Sequence, residues 1–309
     1  MRKLILFAIV VAAYVGSASQ FLSRWEFVEN LSLVRLERLS QPPLSSDNIC
    51  RDLPRIDYVR EPKLELPEEN DKSPLAEVIR EGYWAVRPIH VWGVYSEIGC
   101  KEPLGWGTAF LLGMYKDKML WVTVEHNIVT SKYFQSAFGR VIATNWFVQD
   151  DDGTFKELFP IACKDGKFCV LISSYVAGTF PISLDDDIVK TDAKILEKTY
   201  LFGCSLVPET IRRYRHYRVW FFCLANEGYV NSREAIDTLI GGDVLISNPA
   251  MPGFSGSPVF IVRDDTLKVL GTVNAGVEGV FTAINLLEED TVSKVIDWLR
   301  RGEDLWRGS

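Results

Sequence analysis

The stretch "GTAFLLGMYKDKMLWVTV", residues 107–124, holds two runs rich in apolar, β-branched and aromatic residues, separated by turn residues around Lys116 and Asp117. Short runs of this composition bounded by turn residues read as strands. The pattern recurs downstream in "RVIATNWFVQ" (140–149), "KFCVLIS" (167–173), "KTYLFGCSL" (198–206), "YRVWFFCLA" (217–225), "DVLISNPA" (243–250), "PVFIVR" (258–263), "KVLGTVNAG" (268–276) and "GVFTAI" (279–284). No long helical pattern intervenes, so the chain from about residue 86 is predicted to form an antiparallel all-β barrel or sandwich, not βαβ units. Val292, Val295, Ile296 and Leu299 then share one helical face, which predicts a C-terminal helix from about Thr291, packed on the barrel.

Upstream the pattern is different. "SPLAEVIREG" predicts a short helix with Ser73 as N-cap, Pro74 in the first turn and Gly82 as its stop. Residues 41–74 carry six prolines and the acidic run "LPEEND", the composition of an extended linker. Residues 24–39 space Trp25, Val28, Leu31, Leu36 and Leu39 as a short amphipathic helix would. The first residues, "MRKLILFAIVVAAYVGSAS", place two basic residues before an apolar run from Leu4 to Val15, with Gly16 and Ala18 in a small-x-small pattern. That run is short for a bilayer span and suits a secretory signal or a marginal retained anchor. The expected organisation is a signal peptide or membrane anchor over 1–18, an N-terminal extension and linker over 19–85, and a β-rich domain over 86–309.

At 309 residues and 47% hydrophobic content the chain can bury a full core, which excludes a disordered protein. The balance of 34 basic against 41 acidic residues, net −7, argues against nucleic acid as a partner. The local exception "RRYRHYR" (212–218) reads as a solvated strand or hairpin with alternating faces. Six cysteines, Cys50, Cys100, Cys163, Cys169, Cys204 and Cys223, contain no C-x-x-C pair, which suits an oxidising compartment better than structural zinc. Cys163 and Cys169 in "CKDGKFC" are expected to form a disulfide.

"MPGFSGSPVF" (251–260) sets Ser255 between two glycines ahead of an apolar strand. Glycine, serine and proline are also what any tight turn uses, so a chemical role needs a base to take the hydroxyl proton and donors for an oxyanion. The chain has three histidines: His90, His126 and His216. His126 follows the β-branched run "LWVTV" directly, and a strand end beside a cleft is where a general base works.

"GWGTAFLLG", "WVTVEHNIV", "PGFSGSPVF" and "VLGTVNAGVEGVFTAI", in that order, resemble the landmarks of trypsin-like serine proteases, over about residues 86–300. Thr123 and His126 match the family's T-x-x-H, and Gly253, Ser255, Gly256 and Pro258 match its G-x-S-G-x-P. "GGDVLISNPAMPGFSGSPV" is most similar to the bacterial HtrA/Deg-like type, here without a PDZ domain. An α/β-hydrolase elbow needs G-x-S-x-G, and Ser257 stands where its last glycine would be.

The resemblance implies a two-barrel chymotrypsin-like fold and a serine endopeptidase acting on peptide or protein substrates, with no metal or organic cofactor. Ser255 is then the nucleophile and His126 the base, while the N–H groups of Gly253 and Ser255 form the oxyanion hole. The third member departs from the family pattern, because Lys167 occupies the expected aspartate position at the start of "KFCVLIS". Asp165 is the expected substitute and Asp187 the runner-up. Phe254 replaces a polar residue and is expected to pack inward. Pro249, six positions before the nucleophile, falls at the pocket floor, with Asn274, Ala275 and Gly276 on its wall. None is charged, so small or medium apolar P1 residues are expected, Glu278 being the nearby carboxylate that would reverse this. The alternative that Lys167 keeps open is a catalytically impaired pseudoprotease acting as a binding or sensing module.

Overall fold

A computed structural model describes residues 55–60, 65–95, 101–115, 118–128, 135–136, 139–149, 154–164, 167–182, 192–211, 216–232, 242–277 and 281–287. A strand β1 (Arg55–Arg60) and a helix α1 (Pro74–Ala85) precede the first barrel. Its strands are β2 (Val86–Tyr95), β3 (Lys101–Tyr115), β4 (Lys118–Val124), the short β5 (Gln135–Ser136), β6 (Gly139–Gln149), β7 (Phe155–Lys164) and β8 (Phe168–Ser173). The second barrel is built from β9 (Lys198–Ile211), β10 (His216–Ser232), β11 (Val244–Ile246), β12 (Pro258–Arg263), β13 (Thr266–Val277) and β14 (Phe281–Leu286).

The first sheet runs β2-β3-β4-β8-β7-β6 and closes through β2–β6, with β5 appended to β6. The second runs β10-β11-β14-β13-β12-β9 and closes through β9–β10. Both are six-stranded antiparallel barrels, the chymotrypsin-like two-barrel arrangement. β1 is added outside the second barrel, parallel to the first six residues of β10 with Arg55 opposite His216. The β9–β10 hairpin pairs His216 with Ile211, and residues 212–215 of "RRYRHYR" lie outside the described residues.

Side-chain alternation explains why so many strands read as unbroken apolar runs. Ala109 and Leu111 of β3, Met119 and Trp121 of β4, and Cys169 and Leu171 of β8 fill the first barrel. Their neighbours Phe110 and Leu112, Leu120 and Val122, and Phe168, Val170 and Ile172 point the other way, into a cluster that also takes Tyr200, Phe202, Phe260 and Val269 from the second barrel. Successive residues of a strand face opposite sides, so a strand with a barrel core on one side and a partner barrel on the other is apolar on both.

Helix α1 starts as its sequence predicts: the Ser73 hydroxyl accepts the Ala76 N–H at 3.3 Å, and Pro74 follows. Its end does not, because the helix passes through Gly82 to Ala85 and leads directly into β2. Gly82 answers a packing demand instead, since a Cβ there would fall 2.3 Å from the Phe202 ring. Val78 and Ala85 join the cluster between the barrels, so this end of the extension is part of the core. β2 and β7 fall outside the runs that the sequence pattern picks out. Both contain proline, which removes a ladder donor and masks the strand pattern. Pro88 is accommodated opposite Thr108 and Pro160 next to a register shift.

Cys163 and Cys169 form the expected disulfide, and Cys204 and Cys223 form a second; each joins residues directly opposite on paired strands. Two disulfides fit an oxidising compartment. Among the described residues no helix is long and apolar enough to cross a membrane. The expected N-terminal signal or anchor, the helix over 24–39, the C-terminal helix from Thr291, and Cys50 and Cys100 lie outside the described residues.

Candidate active site

The turn that carries Ser255 is shaped by two glycines and one buried ring. Gly253 (φ +96°) and Gly256 (φ +90°) adopt backbone angles that L side chains rarely reach. Between them Phe254 is fully buried in the second barrel's core, as expected, and packs where a Cβ on Gly203 would lie 2.5 Å from its ring. The Phe254 N–H donates to the Met251 carbonyl (3.0 Å), that of Ser257 to the Phe254 carbonyl (2.8 Å), and that of Gly256 to the Val273 carbonyl (2.8 Å). Among the described residues, the N–H groups of Gly253 and Ser255 donate to no protein acceptor. Two free donors flanking one buried residue are the kind of arrangement that receives an anionic oxygen.

Barrel one holds this turn through a buried polar network. The Thr108 N–H donates to the Ser255 carbonyl at 2.8 Å, and the Thr108 hydroxyl lies 2.8 Å from the Gly253 carbonyl. The Thr123 hydroxyl donates to the Thr108 carbonyl at 2.6 Å. The Asn127 amide donates both to Thr123 Oγ1 (2.9 Å) and to the Ser255 carbonyl (2.8 Å). Gly256 is enclosed by the same groups, since a Cβ there would meet the Thr108 carbonyl at 2.1 Å and Thr123 Oγ1 at 2.2 Å.

His126 sits one residue before Asn127 in a single 3₁₀ turn, Glu125–Asn127, at the end of β4. It keeps an exposed edge. Protein packed around the rest of the ring displaces water and lowers its pKa to about 4, and a side-chain hydrogen bond with Asn274 works in the opposite direction. His90 is different: it lies in β2, buried edge-to-face on Phe155 at 5.3 Å, and burial lowers its pKa to about 3. Of His216 only the strand position is described.

Lys167, where the resemblance would place an aspartate, bridges the barrels. Its ammonium lies 2.8 Å from Asp243 Oδ1 and 2.9 Å from Oδ2, and Asp243 Oδ2 also accepts the Leu286 N–H. The Lys167 carbonyl accepts the Glu125 N–H (3.3 Å) and the Asn285 amide (2.8 Å), which keeps this strand start beside the histidine turn. Asp165, Asp187 and Glu278 lie outside the described residues.

Of the expected pocket residues, Pro249 is exposed and its carbonyl accepts the Asn226 amide at 2.9 Å. The buried residue there is Asn248, which accepts the Thr199 hydroxyl at 2.5 Å and donates to Asn226 Oδ1 at 3.0 Å. Asn274 and Ala275 are half-buried and Gly276 is exposed on β13, with Ala275 opposite Ala283 and Gly276 opposite Thr282 on β14. Among the described residues, no three His, Cys, Asp or Glu side chains are grouped so that they could hold a metal ion.

Sequence reading missed Thr108, Asn127 and Asp243. The available signal was weak: a threonine inside an apolar strand and an asparagine directly after the histidine. No model of a known protein family matches the sequence, and a search of curated proteins finds no similar chain.

Proposed function

We propose that the chain is a serine endopeptidase of the trypsin-like type, acting on peptide or protein substrates in an oxidising, exported compartment, with its N-terminal apolar segment as signal or tether. The observation that carries this reading is the bond from the Asn127 amide to the Ser255 carbonyl, which brings the histidine turn of one barrel onto the serine turn of the other.

In this reading His126, neutral above a pKa of about 4, removes the Ser255 Oγ proton as the oxygen attacks the scissile carbonyl. The Gly253 and Ser255 N–H groups receive the developing oxyanion, each donor worth about 3 kcal/mol. The imidazolium returns its proton to the leaving amine, leaving an acyl-enzyme, and water repeats the sequence to release the acid. Asp165 is the carboxylate that the sequence offers as the orienting partner. Uncharged Pro249, Asn274, Ala275 and Gly276 favour apolar P1 residues; a peptide library dominated by Arg or Lys at P1 would count against this pocket.

The test is labelling of the purified protein with a fluorophosphonate. Reaction at Ser255, lost in Ser255→Ala and His126→Ala while both variants stay folded, supports the enzyme. The second reading, a pseudoprotease that binds without cleaving, is favoured by one observation: the strand start that would carry an aspartate carries Lys167, held by Asp243. A folded wild-type protein that does not label selects it.

A further inference from the structure

We infer that Lys167 is a positioning residue for His126: seated on barrel two at both its ends, it is the pin through which that barrel sets the histidine turn. The inference rests on the endopeptidase reading of Ser255 and His126 and deepens it. The ammonium end lies 2.8 and 2.9 Å from the two Asp243 carboxylate oxygens. The carbonyl end accepts the amide of the buried Asn285 at 2.8 Å. Both seats lie at one corner of barrel two, because the Asp243 N–H donates to the Ile284 carbonyl (2.8 Å) and Asp243 Oδ2 accepts the Leu286 N–H (2.9 Å). The same Lys167 carbonyl accepts the Glu125 N–H at 3.3 Å, and the neighbouring Phe168 pairs with Val124 on β4.

His126 is therefore flanked by two fastenings to barrel two. Its predecessor Glu125 is tied through Lys167 to Asn285, and its successor Asn127 is tied directly to the Ser255 carbonyl. On barrel two the Lys167 seat and the nucleophile turn are one strand pair apart: Ile284 stands opposite Val273, whose carbonyl accepts the Gly256 N–H at 2.8 Å. A base and a nucleophile carried by different barrels react only while the barrels hold them in register, and a displacement of about 1 Å can cost about 100-fold. With Asp243 as the facing group, a carboxylate at position 167 would set two like charges together. The cation at this strand start is thus the complement of Asp243, not the remnant of a lost triad.

The experiment labels the full-length protein with a fluorophosphonate, separating the limiting rate from the half-saturating probe concentration, and follows hydrogen exchange at the Glu125 amide. The Lys167 and Asp243 side chains are 30% and 24% exposed, and ion pairs of that kind contribute little stability, so Lys167→Met and Asp243→Asn should fold. Lys167→Met should lower the limiting rate by about 10- to 100-fold at an unchanged half-saturating concentration, because the reacting groups are displaced and the pocket is not. Asp243→Asn should act in the same direction, and Lys167→Met/Asp243→Asn should label no more slowly than Lys167→Met, since one interaction is lost in both. Lys167→Arg, which keeps the cation, should recover most of the rate lost in Lys167→Met. The Glu125 amide should exchange faster in Lys167→Met than in wild type. Lys167→Asp should label more slowly than wild type, its new carboxylate facing Asp243. A wild-type limiting rate in folded Lys167→Met, or faster labelling in Lys167→Asp, would overturn the inference, the latter because position 167 would then be the place of a triad carboxylate. A wild type that never labels Ser255 sinks the endopeptidase reading instead, and Glu125 exchange then decides the pin by itself: faster in Lys167→Met upholds it, and unchanged overturns it.

Discussion

Asn127 and Ser255, 128 positions apart, meet at 2.8 Å, amide to carbonyl, across the seam between the two barrels. The same carbonyl accepts the Thr108 N–H, so the Ser255 carbonyl is held from barrel one by two donors. Asn127→Ala removes one of them and one partner of Thr123 Oγ1. Leaving buried polar groups unpaired costs about 1–3 kcal/mol, and urea denaturation should show a loss of that size. Fluorophosphonate labelling should slow in the same variant even where it is fully folded. An unchanged rate would mean that the turn holds its shape without this bond.

Gly256 and Gly105 make a matched pair. At Gly256 a methyl group would meet the Thr108 carbonyl at 2.1 Å at a φ of +90°, whereas at Gly105 nothing lies within 4 Å. Gly256→Ala should destabilise the fold by more than 2 kcal/mol, roughly, and abolish labelling, and Gly105→Ala should be close to neutral. Thermal melts of the two variants decide this, and a stable Gly256→Ala protein would contradict the geometry of the turn.

The Cys204–Cys223 bridge closes a loop with a sequence separation of 19 midway along the long β9–β10 hairpin. Cross-linking a loop of this length restricts the unfolded chain by about 3 kcal/mol on the entropic account. The double variant Cys204→Ala/Cys223→Ala should lose stability of that order under oxidising conditions. Peptide mapping without reductant should recover both this pair and Cys163–Cys169; finding either cysteine of a pair as a free thiol would refute that pair.

His90 predicts an acid sensitivity with a defined sign. Burial lowers its folded pKa from 6.5 to about 3, so below pH 6.5 the unfolded chain binds a proton that the folded one refuses. Stability is therefore fully present above the unfolded value and lost as pH falls. Down to a pH of about 4.5, where carboxylates remain largely ionised, His90 should cost about 3 kcal/mol. His126, lowered to about 4, acts in the same direction. Urea midpoints at neutral and mildly acidic pH should show the loss in wild type and a smaller one in His90→Phe. Equal slopes would mean that His90 is protonated in the fold.

The sequence by itself determined the all-β architecture, because both faces of the central stretches of β3, β4 and β8 are buried and runs such as Ala109–Leu112, Met119–Val122 and Phe168–Ile172 are apolar on both. It also determined the Ser73 cap and the inward Phe254, since capping and burial of an aromatic depend on side-chain chemistry and nearest neighbours. Tertiary structure alone decided the contacts between elements distant in the chain. Gly82 reads locally as a helix stop, but the Phe202 ring, 120 positions on, claims the space beside it and the helix continues. Lys167 reads as a missing aspartate, and only folding brings Asp243 to it and Asn127 to the Ser255 carbonyl. Local propensity acts over a few residues, whereas the polar contacts at the seam between the barrels exist only after two separately closed sheets have met.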